Sequence, residues 1–176
     1  MKHKLKIYEE LELSLSKSTW HQRKNWAITI IKNDISIKDL SDLLKCDEKI
    51  VIRFLWMLSD VAILAPEKFL KELPYLLKCC KNFHDNFKTS FASYWLYVGV
   101  PEENEAVAID LLFGWITSAN TNVTVKARSI LVLKSLVQKY PELKNELKLC
   151  IENSLGKYSK DFDKRATKIL TELNTC

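Results

Sequence analysis

The sequence has little of the material from which turns and membrane spans are built. It contains only three glycines and four prolines among 176 residues. Sandwiches and barrels need many tight turns, so this scarcity argues against an all-β fold. No apolar run approaches the roughly 20 residues of a membrane helix, so we expect no membrane partner. With 47% apolar and 28% charged residues, the composition favours an all-α chain with a buried core.

Metal and disulfide patterns are also missing. The five cysteines include no CxxC pair, and the three histidines are scattered along the chain. The adjacent Cys79 and Cys80 are interpreted as small core fillers rather than as a redox pair. Glu9 and Glu10 interrupt the N-terminal stretch where a secretory signal needs apolar residues. These features predict a soluble cytoplasmic protein with reduced thiols, no metal and no cofactor.

The sequence does contain a repeat, which is marked by Pro-Glu pairs. Three pairs, at 66–67, 101–102 and 141–142, each follow a segment with helical periodicity. Four such segments, which share an apolar residue, a polar residue, a buried-type residue and an apolar pair, are 50–58 (IVIRFLWML), 87–95 (FKTSFASYW), 123–131 (VTVKARSIL) and 162–170 (FDKRATKIL). Their starts lie 37, 36 and 39 residues apart. Two helices per period of this length predict an α-solenoid, in which stacked units supply the core.

Each Pro-Glu pair is expected to begin the second helix of a unit. Proline suits the first helical position because the N–H it lacks would be unpaired there, and glutamate favours the positive end of the helix dipole. Upstream, residues 18–33 and 36–45 indicate a shorter helical pair in which Ser36 and Asp39 match a capping box. The first fifteen residues fit a helix or a strand, and the helix is favoured.

The aligned motif resembles the HEAT-repeat family over residues 18–174. The resemblance implies a right-handed α-solenoid of four to five helix pairs. The length of the chain predicts a single domain over residues 1–176, in which residues 1–17 form an N-terminal helix or arm. Phe54 and Phe91 stand where the family usually has alanine. More narrowly, the chain is similar to small bacterial HEAT-like proteins that sometimes carry an adenylosuccinate lyase name. It lacks the Ser-Ser-rich loop of that lyase family, so we do not expect lyase chemistry.

No convergent group of acid and base residues stands out, and the sequence predicts no catalytic residue. The one pair that suggests chemistry is Asp110 with Trp115, because HEAT-like alkylpurine DNA glycosylases place an aspartate beside aromatic residues. We favour the alternative of a solvated aspartate and a tryptophan at the edge of the core. A nucleic-acid-binding protein, or a DNA-repair relative of those glycosylases, remains the alternative function.

Tryptophan and arginine usage bears on that alternative. Trp20, Trp26, Trp56 and Trp95 fall on first helices, where core packing between units is favoured over base stacking. The net charge of +5 is modest, and most of the 27 basic residues are lysines. Nucleic-acid surfaces usually favour arginine, so both observations weigh against nucleic acid as the partner.

A basic stripe is the predicted partner-binding surface. Lys68, Lys71, Tyr75 and Lys78 are spaced to share one face of the helix that begins at Pro66. Second helices line the concave side of HEAT solenoids, so the resemblance implies that this stripe faces the groove. We therefore expect a non-enzymatic protein-interaction scaffold that binds an acidic protein or peptide. An ordinary solvated face is the alternative interpretation.

Overall fold

The computed structural model describes residues 2–80 and 85–175, which are mostly helical. These residues form ten α-helices and four 3₁₀ turns, and no strand occurs among them. The predicted all-α class is therefore confirmed. The chain divides into two compact units, Met1–Glu103 and Asn104–Cys176. The solenoid arrangement and the single domain stay predictions. No helix in the described ranges is long and apolar enough to cross a membrane.

The described part of the first unit is built around one long central helix. Its helices are α1 (Lys2–Ser14), α2 (Trp20–Lys32), α3 (Ile37–Leu40), α4 (Glu48–Leu64), α5 (Pro66–Cys79) and α6 (Asp85–Val98), with 3₁₀ turns at Leu15–Lys17 and Ser41–Lys45. The central helix α4 packs against α2, α5, α6 and both turns. Because neighbours contact it on several sides, its buried residues extend beyond a single stripe.

The second unit is built around α8. Its described helices are α7 (Glu105–Thr117), α8 (Val123–Val137), α9 (Lys144–Glu152) and α10 (Lys160–Thr175). Helix α8 packs against each of the other three, and α9 also contacts α7 and α10. The central helices α4 and α8 both contain an aligned segment of the repeat. The sequence therefore predicts each of them as the first helix of its pair.

Capping boxes fix the start of two helices. Ser36 Oγ accepts from the backbone N–H of Asp39, and the Asp39 carboxylate accepts from the N–H of Ser36. The predicted capping box is therefore confirmed, although the α3 helix it begins is short. Thr19 and Gln22 form a second box at the start of α2. Each box pairs backbone donors that a helix N-terminus leaves unsatisfied.

The Pro-Glu pairs lie either at the first residue of an α-helix or at a 3₁₀ turn that precedes one. Pro66 is the first residue of α5, as predicted. The other two pairs lie at 3₁₀ turns, Glu102–Asn104 and Pro141–Leu143, and the α-helices that follow begin at Glu105 and Lys144. The prediction of helix starts is therefore confirmed at the first pair and displaced by about one turn at the other two.

Side chains about one repeat apart contact each other within each unit. The contacts join residues separated by 34 to 39 positions: Lys4 with Asp39, Lys68 with Asp34, Tyr75 with Ser41, Tyr94 with Leu55, Lys139 with Glu105, and Lys134 with Glu172. These separations bracket the sequence period. Segments about one repeat apart are therefore in contact within each unit.

The inward positions of the aligned motif are confirmed in the first copy and only in part in the third. Ile50, Phe54, Met57 and Leu58 are all buried. In the third copy Ile130 is buried as predicted, Ala127 is half-buried, and Leu131 is 38% exposed. The polar position, Lys126, is only 1% exposed, and its ammonium group bonds the backbone at the end of the preceding helix.

Asp39 links α1 to α3. It should make the stability of the first unit fall measurably in acid. Its carboxylate lies 2.7 Å from Lys4 Nζ, and bonds from Lys4 and Ser36 lower the pKa of Asp39 to about 2. A lowered folded-state pKa stabilises the fold above the ordinary value and loses that contribution as the pH falls toward the folded value. We therefore expect Asp39→Asn to flatten the acid side of the stability profile. Urea unfolding from about pH 5 to about pH 2 measures this, and parallel curves for the two proteins would contradict it.

Candidate functional site

The structure divides the predicted basic stripe on α5 into two sets. Lys68 Nζ donates to Asp34 Oδ1 at 2.6 Å, and Tyr75 Oη donates to Ser41 Oγ at 3.0 Å. These two side chains are therefore engaged within the unit. Lys71 and Lys78 are exposed, and neither forms an ion pair with any residue that the structure describes. They are the part of the stripe that a partner can reach.

The engaged edge of α5 includes a third contact. The carboxylate of Glu72 accepts from the backbone N–H of Ile37. Burial raises the pKa of Glu72, although the Ile37 bond acts in the opposite direction. Residues 68, 72 and 75 share one edge of a helix because they are four and three positions apart. α5 is thus attached along this edge to the segment from Asp34 to Ser41.

Lys71 and Lys78 lie on the neighbouring edge of α5. They are seven residues apart, which is close to two helical turns, so both side chains leave the helix in nearly the same direction. Their separation along the axis is about 10 Å. The pair therefore presents two positive charges in line on one exposed edge.

The Asp110 and Trp115 pair is not assembled as a site. Asp110 is exposed on α7, whereas Trp115 is buried. Five residues along a helix correspond to a rotation of about 140° between the two side chains. A base beside a stacking indole is not formed by these two residues.

The tryptophans divide between the core and the surface. Trp26 and Trp95 are buried, as predicted for first helices. Trp20 is 52% exposed and Trp56 is 44% exposed, so the core prediction is wrong for both. Trp20 lies in the first turn of α2, whereas the buried residues of this helix follow it from Arg23 onward. Trp56 lies on a side of α4 where Ile63 is also exposed.

Cations lie against both exposed indoles. The Cζ atoms of Arg23 and Arg53 are 5.6 and 5.0 Å from the ring centre of Trp56. Lys24 Nζ is 5.2 Å from the ring centre of Trp20. We name these five residues, Trp20, Arg23, Lys24, Arg53 and Trp56, the Trp–Arg cluster. Such pairs are stabilised by the ring quadrupole, by about 0.5–1 kcal/mol each at exposed sites.

The two arginines of the Trp–Arg cluster share one neutral acceptor. Nη1 of Arg23 donates to the carbonyl oxygen of Ser18 at 2.9 Å, and Nη1 of Arg53 reaches the same atom at 3.4 Å. Arg23 is 7% exposed. Among the residues at 2–80 and 85–175, neither guanidinium has a carboxylate partner in an ion pair. Two positive charges therefore converge without an ion-pair partner among the described residues.

Asp60 is a carboxylate whose charge acts on Arg23. Burial and then the charge of Arg53 lower the pKa of Arg23, and Asp60 partly offsets both. Burial raises the pKa of Asp60, while Lys24 and Arg23 act to lower it. Asp60 therefore offsets part of the positive charge of the cluster.

Sequence reasoning placed no functional residue in the Trp–Arg cluster, although a signal was present. Trp20, Arg23 and Lys24 follow the spacing i, i+3, i+4, and Arg53 with Trp56 follows i, i+3. Residues at these spacings are neighbours on a helix surface. Basic and aromatic residues that alternate in this way indicate a surface, whereas tryptophan alone suggested the core.

Two of the described cysteines are buried thiols. Burial raises the pKa of Cys80 to about 12 and also raises that of Cys150, so both thiols stay protonated near neutral pH. Cys80 fits its prediction as a core filler, but Cys79 is exposed. Within the described ranges, no group of three or more His, Cys, Asp or Glu residues could hold a metal ion.

Comparison with models of known protein families gives no match for this chain. Curated proteins and solved structures give no match either. The function is therefore argued from the geometry of the chain's own residues.

Proposed function

We propose that the chain is a non-enzymatic interaction module that binds an acidic protein or peptide. The observation that carries this proposal is the pair Lys71 and Lys78, which are exposed on α5 and form no ion pair with a residue that the structure describes, beside an edge of the same helix that is held in place. A partner with two carboxylates at matching separation can form two ion pairs with them.

The charges of Lys71 and Lys78 are better suited to binding a partner than to stabilising the fold. Exposed lysines contribute little to folding, so their arrangement in line has no evident structural role. Charges of this kind accelerate encounter with a partner of opposite sign and exclude partners of the same sign. The side-chain contacts about one repeat apart support the accompanying inference that the fold is a HEAT-like α-solenoid with α5 on its concave side.

Selection from a displayed library of random peptides tests the proposal. The full chain should enrich peptides rich in Asp and Glu. For a selected acidic peptide, the double variant Lys71→Glu/Lys78→Glu should bind about 10-fold more weakly at low salt, mainly through slower association. The difference should shrink as salt rises, because screening weakens exposed charges.

The matched control is Lys157→Glu/Lys164→Glu, which changes the net charge equally at exposed lysines of the second unit. It should keep the affinity of the parent chain. Both double variants should retain the helical spectrum and the unfolding midpoint. An equal loss of affinity in the control would show that the effect depends only on net charge. It would contradict a binding site on α5.

A further inference from the structure

A second exposed surface lies on α2 and α4 of the first unit, away from the lysine pair on α5. We propose that the Trp–Arg cluster is a binding site for single-stranded nucleic acid, with its indoles stacking on bases and its cations contacting phosphates. This site goes beyond the acidic-partner function and uses none of the residues assigned to it.

The two indoles can serve as stacking platforms. Tryptophan has the largest apolar ring system among the side chains, and here two rings are about half exposed rather than packed into the core. Two guanidinium groups lie 5.0 and 5.6 Å from the ring centre of Trp56, and the side chain nevertheless stays 44% exposed. Part of the indole is therefore uncovered. Every nucleobase offers a flat face to such a ring.

Arg53 can hold a phosphate. Its guanidinium has five N–H donors in a planar fork, and the acceptor that the described residues give it, the carbonyl oxygen of Ser18, engages Nη1 alone. The other donors can form the paired bonds that guanidinium makes with phosphate oxygens. Arg23 is only 7% exposed, so it adds positive charge beside Arg53 and does not form a second phosphate contact.

The arrangement of aromatic and cationic side chains in the Trp–Arg cluster indicates the class of partner. Lys24 lies beside Trp20, and Arg53 lies beside Trp56, so aromatic and cationic groups alternate on the surface. A single strand alternates bases and phosphates in the same way. A duplex keeps its bases stacked inside, an anionic lipid surface offers phosphates without flat aromatic groups, and a peptide of Asp and Glu offers carboxylates without flat aromatic groups. The single strand is the partner that uses both kinds of group.

Binding of a fluorescein-labelled oligothymidylate of about 12 nucleotides to the full chain tests the inference. The oligonucleotide should bind at low salt, quench tryptophan fluorescence, and weaken as salt rises. Trp20→Ala/Trp56→Ala should lower the affinity by about 5- to 100-fold, because each stacked base contributes substantially. Arg53→Gln should also weaken binding, whereas Trp56→Phe, which keeps a ring, should retain most of it.

Controls separate this site from the one on α5 and from charge alone. Lys71→Glu/Lys78→Glu should weaken oligothymidylate binding no more than the charge-matched Lys157→Glu/Lys164→Glu does, and a failure of the acidic-peptide selection would not affect this result. An abasic oligonucleotide of the same length should bind at least 5-fold more weakly than oligothymidylate. Equal affinity for the abasic strand, unaltered binding by the double tryptophan variant, or no binding at low salt would each overturn the inference. Tighter binding to vesicles of anionic lipid or to oligoglutamate would assign the cluster to another class of partner.

Discussion

Lys126→Met is expected to lower the free energy of unfolding by about 2–4 kcal/mol. Lys126 Nζ donates to the carbonyl oxygens of Ile116 at 2.5 Å and Ser118 at 2.6 Å, at the C-terminal end of α7. It also lies 5.5 Å from the ring centre of Tyr158. Methionine keeps most of the apolar stem but donates no hydrogen bond. The variant therefore leaves two carbonyls without this donor and removes a positive charge from the negative end of the helix dipole.

Urea unfolding of the full chain, followed by circular dichroism, measures this loss. The matched control is Lys164→Met, which removes an exposed lysine from α10 and should change stability by less than about 0.5 kcal/mol. A variant as stable as the parent chain would mean that the cost of burying the ammonium group equals what its bonds contribute. That outcome would contradict a stabilising role for Lys126.

Phe69→Ala is expected to destabilise the first unit more strongly, by about 3–5 kcal/mol. The Phe69 ring is fully buried, and its centre lies 5.0 Å from that of Tyr94 in an edge-to-face arrangement. Tyr94 Oη in turn donates to the carbonyl oxygen of Leu55 at 2.5 Å. Removing the Phe69 ring therefore opens a cavity where α4, α5 and α6 meet.

A control on the same helix isolates the effect of the cavity. Lys71→Ala removes an exposed side chain from α5 and should change the unfolding free energy by less than about 0.5 kcal/mol. Phe69→Leu, which refills part of the space, should recover some of the lost stability. Equal denaturation midpoints for Phe69→Ala and Lys71→Ala would show that the ring does not support the core.

Local signals in the sequence predicted helix boundaries well. The capping box at Ser36 and Asp39 and the helix start at Pro66 depend on backbone groups a few residues away, so the sequence contains all the necessary information. The same holds for the buried positions of the first motif copy, Ile50 and Phe54, which follow helical periodicity. At the other two Pro-Glu pairs a 3₁₀ turn precedes the helix, and nothing in their composition distinguishes them.

Positions that depend on distant neighbours could not be predicted in the same way. Periodicity places Lys126 on the outside, but its acceptors are backbone carbonyls of another helix, whose location no pattern in the sequence specifies. Hydrophobicity places Trp20 and Trp56 inside, yet burial also requires a neighbouring surface, and both rings lie where helices leave none. The Trp–Arg cluster was therefore missed, whereas half of the basic stripe was placed at the exposed edge of α5.

The three contacts along one edge of α5 also bear on the entropy of binding. Lys68, Glu72 and Tyr75 attach this helix at successive turns, so it cannot rotate about its axis without losing all three contacts. The direction in which Lys71 and Lys78 leave the helix is consequently set before any partner arrives. Association at this edge orders only the two lysine side chains, at about 0.5–1.5 kcal/mol each, and leaves the backbone preorganised.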